Sequence, residues 1–303
     1  METLLLFVYF LVVFYVLYQM ALDLERQQED GVIIHLDYDF LATQAQDQLD
    51  FQKGAKHIKA TVSELSFGKL EFTALKFSIA PKNRQQALGS AFAKERREEG
   101  WSDDEILQLL TSSILVRMLP IGKQKLRPIS LLSVIVINQT ANTHIYVNWD
   151  HSSLEMFNES NRIIRSVPNM PRDLTQPQIY SLVNPQSSLT ANVTVEKNYA
   201  YNPKTDRMTL ADNLVDLADR VEMSKMTDPT TEEKNIQPLY TLDLMVGIKH
   251  VTDPNSELIN LLLPFKFTLE IEPDKIALPP VRWLLKRFGK RNRPDMGSWF
   301  WGQ

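Results

Sequence analysis

His35, Asp37 and Asp39 alternate along GVIIHLDYDF. If that stretch is extended, one imidazole and two carboxylates share a strand face, a donor set suited to a divalent cation. The spacing matches no established metal signature, and the plainer reading is the wet side of a two-faced strand. Asp150, His151 and Ser152 lie consecutively after Trp149 and contain the residue types of a hydrolytic triad. Triad members meet in space, not by adjacency, so the expectation there is a turn at a strand end. His57, His144 and His250 are scattered through the sequence. No glycine-rich phosphate loop, G-x-S-x-G, H-E-x-x-H or EF-hand loop occurs. Cysteine is absent, which removes thiolate ligands, disulfides and cysteine nucleophiles. An enzyme is therefore not expected, and neither is a cofactor. His35, Asp37 and Asp39 remain the candidate metal ligands, and no catalytic residue is assigned.

The elements that would position these residues begin with an anchor. Thr3–Leu22 holds no charged side chain, and 20 helical residues at about 1.5 Å each match a bilayer core of about 30 Å. Only Met1 and Glu2 precede it, without the basic region of a cleaved signal peptide. Residues 1–22 thus read as a single-pass transmembrane helix. It contains no glycine and one alanine, so it lacks a small-residue dimer face. Residues 23–30 read as a polar spacer.

Residues 31–278 read as one β-rich, water-exposed domain, mainly antiparallel and sandwich-like. Its 44% apolar and 23% charged residues (whole-chain values) are those of an ordinary globular fold. Ile34, Leu36, Tyr38 and Phe40 alternate as the inner face of a first strand. Leu75, Phe77 and Ile79 continue the pattern, as do Ile145, Val147 and Trp149, then Leu189, Ala191, Val193 and Val195. LLSVIVI, nearly continuous in apolar residues, suits a central strand. Phe265, Phe267, Leu269 and Ile271 end a strand that Pro264 assigns to a sheet edge. A helical hairpin is expected at about 83–119, with Ser102 and Glu105 as a capping box, Gly100 between its helices, and Ile106, Leu109, Leu110 and Ile114 as its buried stripe. A short helix is expected around Leu214, Leu217, Ala218 and Val221, supported by Asp216 and Arg220, then a charged linker from Asp228 to Pro238.

Residues 279–303 read as a basic, aromatic tail. From Arg282 onward six basic residues face only Asp295, so the tail carries +5 and the remainder −9 of the net −4. Val281, Leu284, Leu285 and Phe288 fall on one helical face after Pro279 and Pro280. The residues expected to dock on a membrane or partner are Arg282, Trp283, Lys286, Arg287, Phe288, Lys290, Arg291, Arg293, Trp299, Phe300 and Trp301.

These features imply a single-pass accessory, scaffold or assembly protein whose β-rich domain binds a partner in a membrane complex. A lipid carrier or sensor, and a membrane-bound metal-dependent hydrolase, are the alternatives. The expected contacts are the bilayer, a membrane-complex protein, and anionic lipid at the tail. Nucleic acid is not expected, since no basic-aromatic sheet motif accompanies the tail. The folded domain is expected on the cytoplasmic or stromal side.

Overall fold

A computed structural model describes residues 6–10, 12–18, 20, 31–67, 70–81, 84–156, 159–167, 174, 176–220, 236–251 and 257–271. The chain forms two units, one of Ile33–Glu270 and the other of Met1–Val32 with Ile271–Gln303. In the second unit, residues 6–10, 12–18 and 20 are helical, and their apolar side chains are exposed apart from a half-buried Val13. Among the described residues no helix is long and apolar enough to cross a membrane. Residues 3–5, 11, 19, 21 and 22 of the expected span lie outside the described residues, as do the spacer 23–30 and the whole tail 279–303.

The larger unit is built on one antiparallel sheet. Its strands are β1 (Gly31–Leu36), β2 (Ile58–Phe67), β3 (Leu70–Ile79), β4 (Ser112–Leu119), β5 (Gly122–Lys125), β6 (Leu132–Asn138) and β7 (Thr143–Met156). They continue with β8 (Glu159–Arg165), β9 (Ser181–Val183), β10 (Ser187–Val195), β11 (Tyr199–Asn202), β12 (Arg207–Leu210), β13 (Ile236–His250) and β14 (Ile259–Ile271). The hydrogen-bonded order is β2-β3-β4-β6-β10-β8-β7-β13-β14-β1-β5, with β9 also on β7, while β11 and β12 form a separate hairpin. The expected mainly β, antiparallel architecture is present, and its main sheet is curled into a half-barrel. Its connectivity requires the curl. β4 is third along the path and β5 last, yet only Pro120 and Ile121 join them, a reach of about 10 Å.

A bulge supplies part of the bend. Asn148 pairs with Met245 and Ser153 with Asp243, so Trp149–Ser152 stand against Leu244 alone. Extra residues on one strand increase twist and turn it sharply. Ser152 holds this corner: its buried hydroxyl donates to the Asn148 carbonyl at 2.6 Å and accepts from the Met245 amide at 2.9 Å. The expected strand-end turn at Asp150–Ser152 is therefore a bulge inside a 14-residue strand. Ser152→Ala is expected to cost about 1–3 kcal/mol by stranding two backbone groups, read as a lower urea midpoint at unchanged slope.

A helix closes the seam. The strand expected through Phe40 stops at Leu36, and α1 (Tyr38–Phe51) follows, with the Asp37 side chain accepting the Phe40 amide as N-cap. Leu41, Ala45 and Leu49, each four residues on, form its buried face. Its glutamines then substitute for missing strand partners. Gln46 accepts the Ala60 amide of β2 at 2.9 Å. Gln48 accepts the Leu262 amide and donates to the Leu262 carbonyl, and Gln52 donates to Asn260. These bonds pair single backbone groups of β2, at one edge of the sheet, and of β14. Pro264 lies between the Gln48 contact at Leu262 and the Asp37 amide contact at Lys266. β14 is therefore an interior strand, and its proline sits where one covering element gives way to the next.

The helical insertion is shorter than expected: α2 (Arg84–Leu88), α3 (Ala91–Glu98) and α4 (Asp103–Leu110) precede β4 at Ser112. The Ser102–Glu105 capping box forms, and Gly100 takes φ +91°, a region that glycine enters without strain. Of the expected stripe only Ile106 is buried within α4, Leu109 is exposed, and Ile114 belongs to β4. Two turns of helix present one position squarely to the sheet. LLSVIVI is one-faced as well: Leu132, Val134 and Val136 are buried, Ser133, Ile135 and Ile137 half-buried. Near Leu214 residues 217–220 are helical among the described residues, Asp216 caps them by accepting the Ala218 amide, and Val221 of the expected helix and residues 228–235 of the expected linker lie outside the described residues. β13 begins at Ile236, so Pro238 belongs to a strand and not to a linker.

Asp243 stands on the outer face of β13. Burial pushes its carboxyl above the ordinary carboxylate range, Glu155 pushes it further, and Lys266 offsets part of the shift. A folded-state pKa above the unfolded one means the protonated form is preferred on folding, so stability is lost as pH rises through the folded pKa. Asp243→Asn is expected to raise the melting temperature at pH 7, with the gain vanishing near pH 4, about the unfolded pKa. A gain that is constant across that range would exclude this titration as the cause.

Candidate functional site

The nominated metal face does not converge. His35 Nε2 lies 2.6 Å from the Glu270 carboxylate, Asp37 caps α1, and Asp39 sits in the first helical turn, where a carboxylate complements the helix dipole. The three belong to a strand, a cap and a helix, because alternation stops at Leu36. Among the described residues no group of three or more His, Cys, Asp or Glu side chains could hold a metal ion.

Asp150, His151 and Ser152 separate too. Ser152 is occupied by the bulge, and His151 is exposed. Asp150 pairs with Arg162 at 2.5 Å and accepts the Gln178 amide at 2.8 Å. Burial pushes the Asp150 carboxyl up, but the Arg162 guanidinium and Gln178 outweigh it and hold it below the ordinary range. Arg162 also donates to the carbonyls of Leu174 and Gln176, and Gln178 bridges the Ile163 carbonyl and the Arg165 amide. This network straps the approach to β9 onto β7 and β8. It is a positioning device for the residues that follow.

Those residues form an exposed apolar row. Leu182 of β9 is 44% exposed, and Ile179 and Tyr180, just before that strand, are 77% and 54% exposed. Tyr146 pairs with Leu182 across β7 and β9, and its ring meets that of Tyr180 at 5.5 Å, edge to face. Tyr146 also pairs with Gly247 of β13, which pairs with Asn260 of β14. Antiparallel partners share a face, so Leu182, Tyr146, Gly247 and Asn260 lie on one face of four strands. Leu258 and Leu262 extend the row, both exposed. A Cβ on Gly247 would lie 3.0 Å from the Leu258 side chain, so glycine is what lets Leu258 fold over the sheet. His144 borders the row, in ring contact with Tyr146, with a buried Nδ1 that has no hydrogen-bond partner.

The other two histidines are distant in sequence. His57 and His250 both line a cleft at one end of the sheet, beneath the helical insertion. Neither the row nor the cleft was legible as a site. Tyr146 reads as an outward position of an alternating strand, Leu182 falls in the proline-rich stretch 165–187 that reads as loop or edge, and nothing in the sequence marks the two as neighbours. All eleven nominated tail residues, Arg282 to Trp301, lie outside the described residues. No protein-family model matches the chain, and no curated protein is similar to it in sequence.

Proposed function

We propose that this chain is a membrane-tethered binding protein whose β-rich unit holds a partner protein on the outer face of β9, β7, β13 and β14. The observation that carries the reading is the row from Ile179, Tyr180 and Leu182 through Tyr146 to Leu258 and Leu262. Exposed apolar patches of this kind mark interaction sites, and tyrosine is enriched at their energetic centres. The strap built on Asp150, Arg162 and Gln178 supports it, since a face held rigid before binding loses less entropy on association.

The tether rests on Thr3–Leu22, uncharged throughout, with described helical residues whose apolar side chains stand exposed around the helix. A helix apolar on all sides requires an apolar surrounding, and lipid supplies one. Tethering confines the search to partners at the same membrane and raises their effective concentration. The same reading puts the folded unit on the cytoplasmic or stromal side, with the basic tail at anionic lipid. A lipid carrier gains no support from the interior, where Trp149, Phe77, Phe265 and Phe267 are fully buried. A metal-dependent hydrolase gains none from His35, Asp37 and Asp39, which are directed to separate tasks.

Crosslinking of native membranes with mass spectrometry tests the proposal. Lys249, paired across β13 and β7 with His144, is the expected donor of crosslinks to one membrane protein. Recovery of the chain alone, folded and resistant to alkaline extraction, would refute partner binding while leaving the tether intact. Release by alkaline extraction would refute the tether.

A further inference from the structure

β13 and β14 pair in unbroken register from Ile248 to Tyr240 and form the floor of a trough on the outer face. On the β7 side the floor is bordered by Tyr146, with Tyr180 in edge contact beyond it. On the other side α1 covers β14, and the Gln52 side chain donates to the Asn260 carbonyl at 2.8 Å. Its neighbour Phe51 is 90% exposed, the largest exposure of any apolar side chain on the folded unit. At about 100° per residue Phe51 stands about 160° from the buried Leu49, so it points outward on the side of β14. Two strands make a floor about 10 Å wide, the diameter of one helix and too narrow for a second sheet. An occupant meets side chains alone here, because the backbone groups of β13 are committed to β7 and β14. It must satisfy its own backbone, which a helix does internally.

The chemistry of the trough changes along β13. At one end Leu258 lies over Gly247, which keeps the floor low, and Met245 follows beside Leu262. Lys249 and Glu257 flank this end with opposite signs. At the other end Asp243 comes next, then Thr241, with Glu155 of β7 on one side and Lys266 of β14 on the other. Two carboxylates there face one ammonium, and the Lys266 Nζ lies 3.7 Å from the centroid of the Phe40 ring. The trough is thus apolar and balanced at one end and acidic at the other. Burial and Glu155 already push the Asp243 carboxyl above its ordinary range, so a cation brought beside it would relieve a cost the folded unit carries alone.

We propose that the partner contributes one amphipathic helix, laid along β13 in this trough, with apolar side chains over Leu258, Met245 and Leu262 and a lysine or arginine over Asp243 and Glu155. This deepens the partner-binding reading of the outer face and rests on it. Tyr146 and Phe51 border the helix, and the charged end sets its direction and register, as complementary charges do at interfaces.

The test is site-specific photocrosslinking of the full chain in native membranes, with p-benzoylphenylalanine in place of Leu258 or Thr241, one site at a time. Leu258 marks the level of Gly247, and Thr241 lies six residues further along β13, about 20 Å. A helix covers that distance in about 13 residues and an extended strand in about six. Both sites are expected to label one segment of one partner, at positions about 13 apart. The spacing is the readout, so a labelled protein is not in itself support. Glu155→Lys, a change at an exposed position, is expected to cut labelling from the Leu258 site at least about tenfold by setting like charges against each other. Labels about six apart, labels on separate segments, or labels on this chain itself overturn the helix while the face remains a contact surface. Labelling that Glu155→Lys leaves unchanged overturns the basic end. If neither site labels any protein, partner binding on this face fails, and the helix with it.

Discussion

Trp149→Ala is expected to lower unfolding free energy by about 3–5 kcal/mol, the range for removing a large buried aromatic. Set against a typical total of about 5–15 kcal/mol, that brings the folded unit close to its limit. Trp149 is fully buried and belongs to β7, the strand that pairs with β13, β8 and β9. It is also the first residue of the bulge, so the cavity would open where the sheet turns. A flat region could collapse onto such a void more easily than a corner whose backbone is already held by Ser152. The indole N–H donates to the Ser181 hydroxyl at 2.9 Å, which also accepts from Arg165 at 2.8 Å. Trp149→Phe keeps most of the volume and removes one donor, so it is expected to cost about 1–2 kcal/mol. Pulse proteolysis of the full chain in urea separates the two. If both variants unfold at the wild-type midpoint, the sheet interior does not depend on this ring.

Alternation located Ile145, Val147 and Trp149, the inner face of β10, and the Phe265–Ile271 end of β14, but not β4, whose residues fell in the expected helical insertion. It misled at residues 37–40. Asp37 continues the polar face of β1 and is also an N-cap, and the two roles look alike until Leu41, Ala45 and Leu49 are counted at intervals of four. The period changes from two to nearly four at the residue that looked most like a metal ligand. Sheet order was not legible, because β4 and β5 are neighbours in sequence and lie far apart on the hydrogen-bonded path. A sandwich and a curled sheet have the same inward residues. What distinguishes them is the bulge at Trp149–Ser152, four residues against one, and the glutamines of α1, both determined by long-range pairing. The same limit hid the sites. Tyr146 meets Leu182 across a gap of 36 positions, and His57 reaches the same cleft as His250.

Tyr180→Ala with Leu182→Asp is expected to weaken partner capture at least thirtyfold, about 2 kcal/mol, while leaving the folded unit almost as stable as before. Binding and folding separate here because both side chains are about half exposed, so little of their surface is lost from water on folding. Surface changes of this kind alter stability by about 0.5 kcal/mol. In a complex the balance reverses. The Tyr180 ring, already set by its edge contact with Tyr146, would be desolvated without much further ordering. A carboxylate at position 182 would have to be buried against the partner unpaired, which adds a penalty to the loss of contact. Leu109→Asp is the matched control: Leu109 is 51% exposed on α4, within the helical insertion. It adds the same charge and removes the same side chain without touching the row. Loss of capture in the first variant and its retention in the control would assign the interface to this face. Equal loss in both would mean that binding follows overall surface hydrophobicity, and equal retention would remove the row from the account of partner binding.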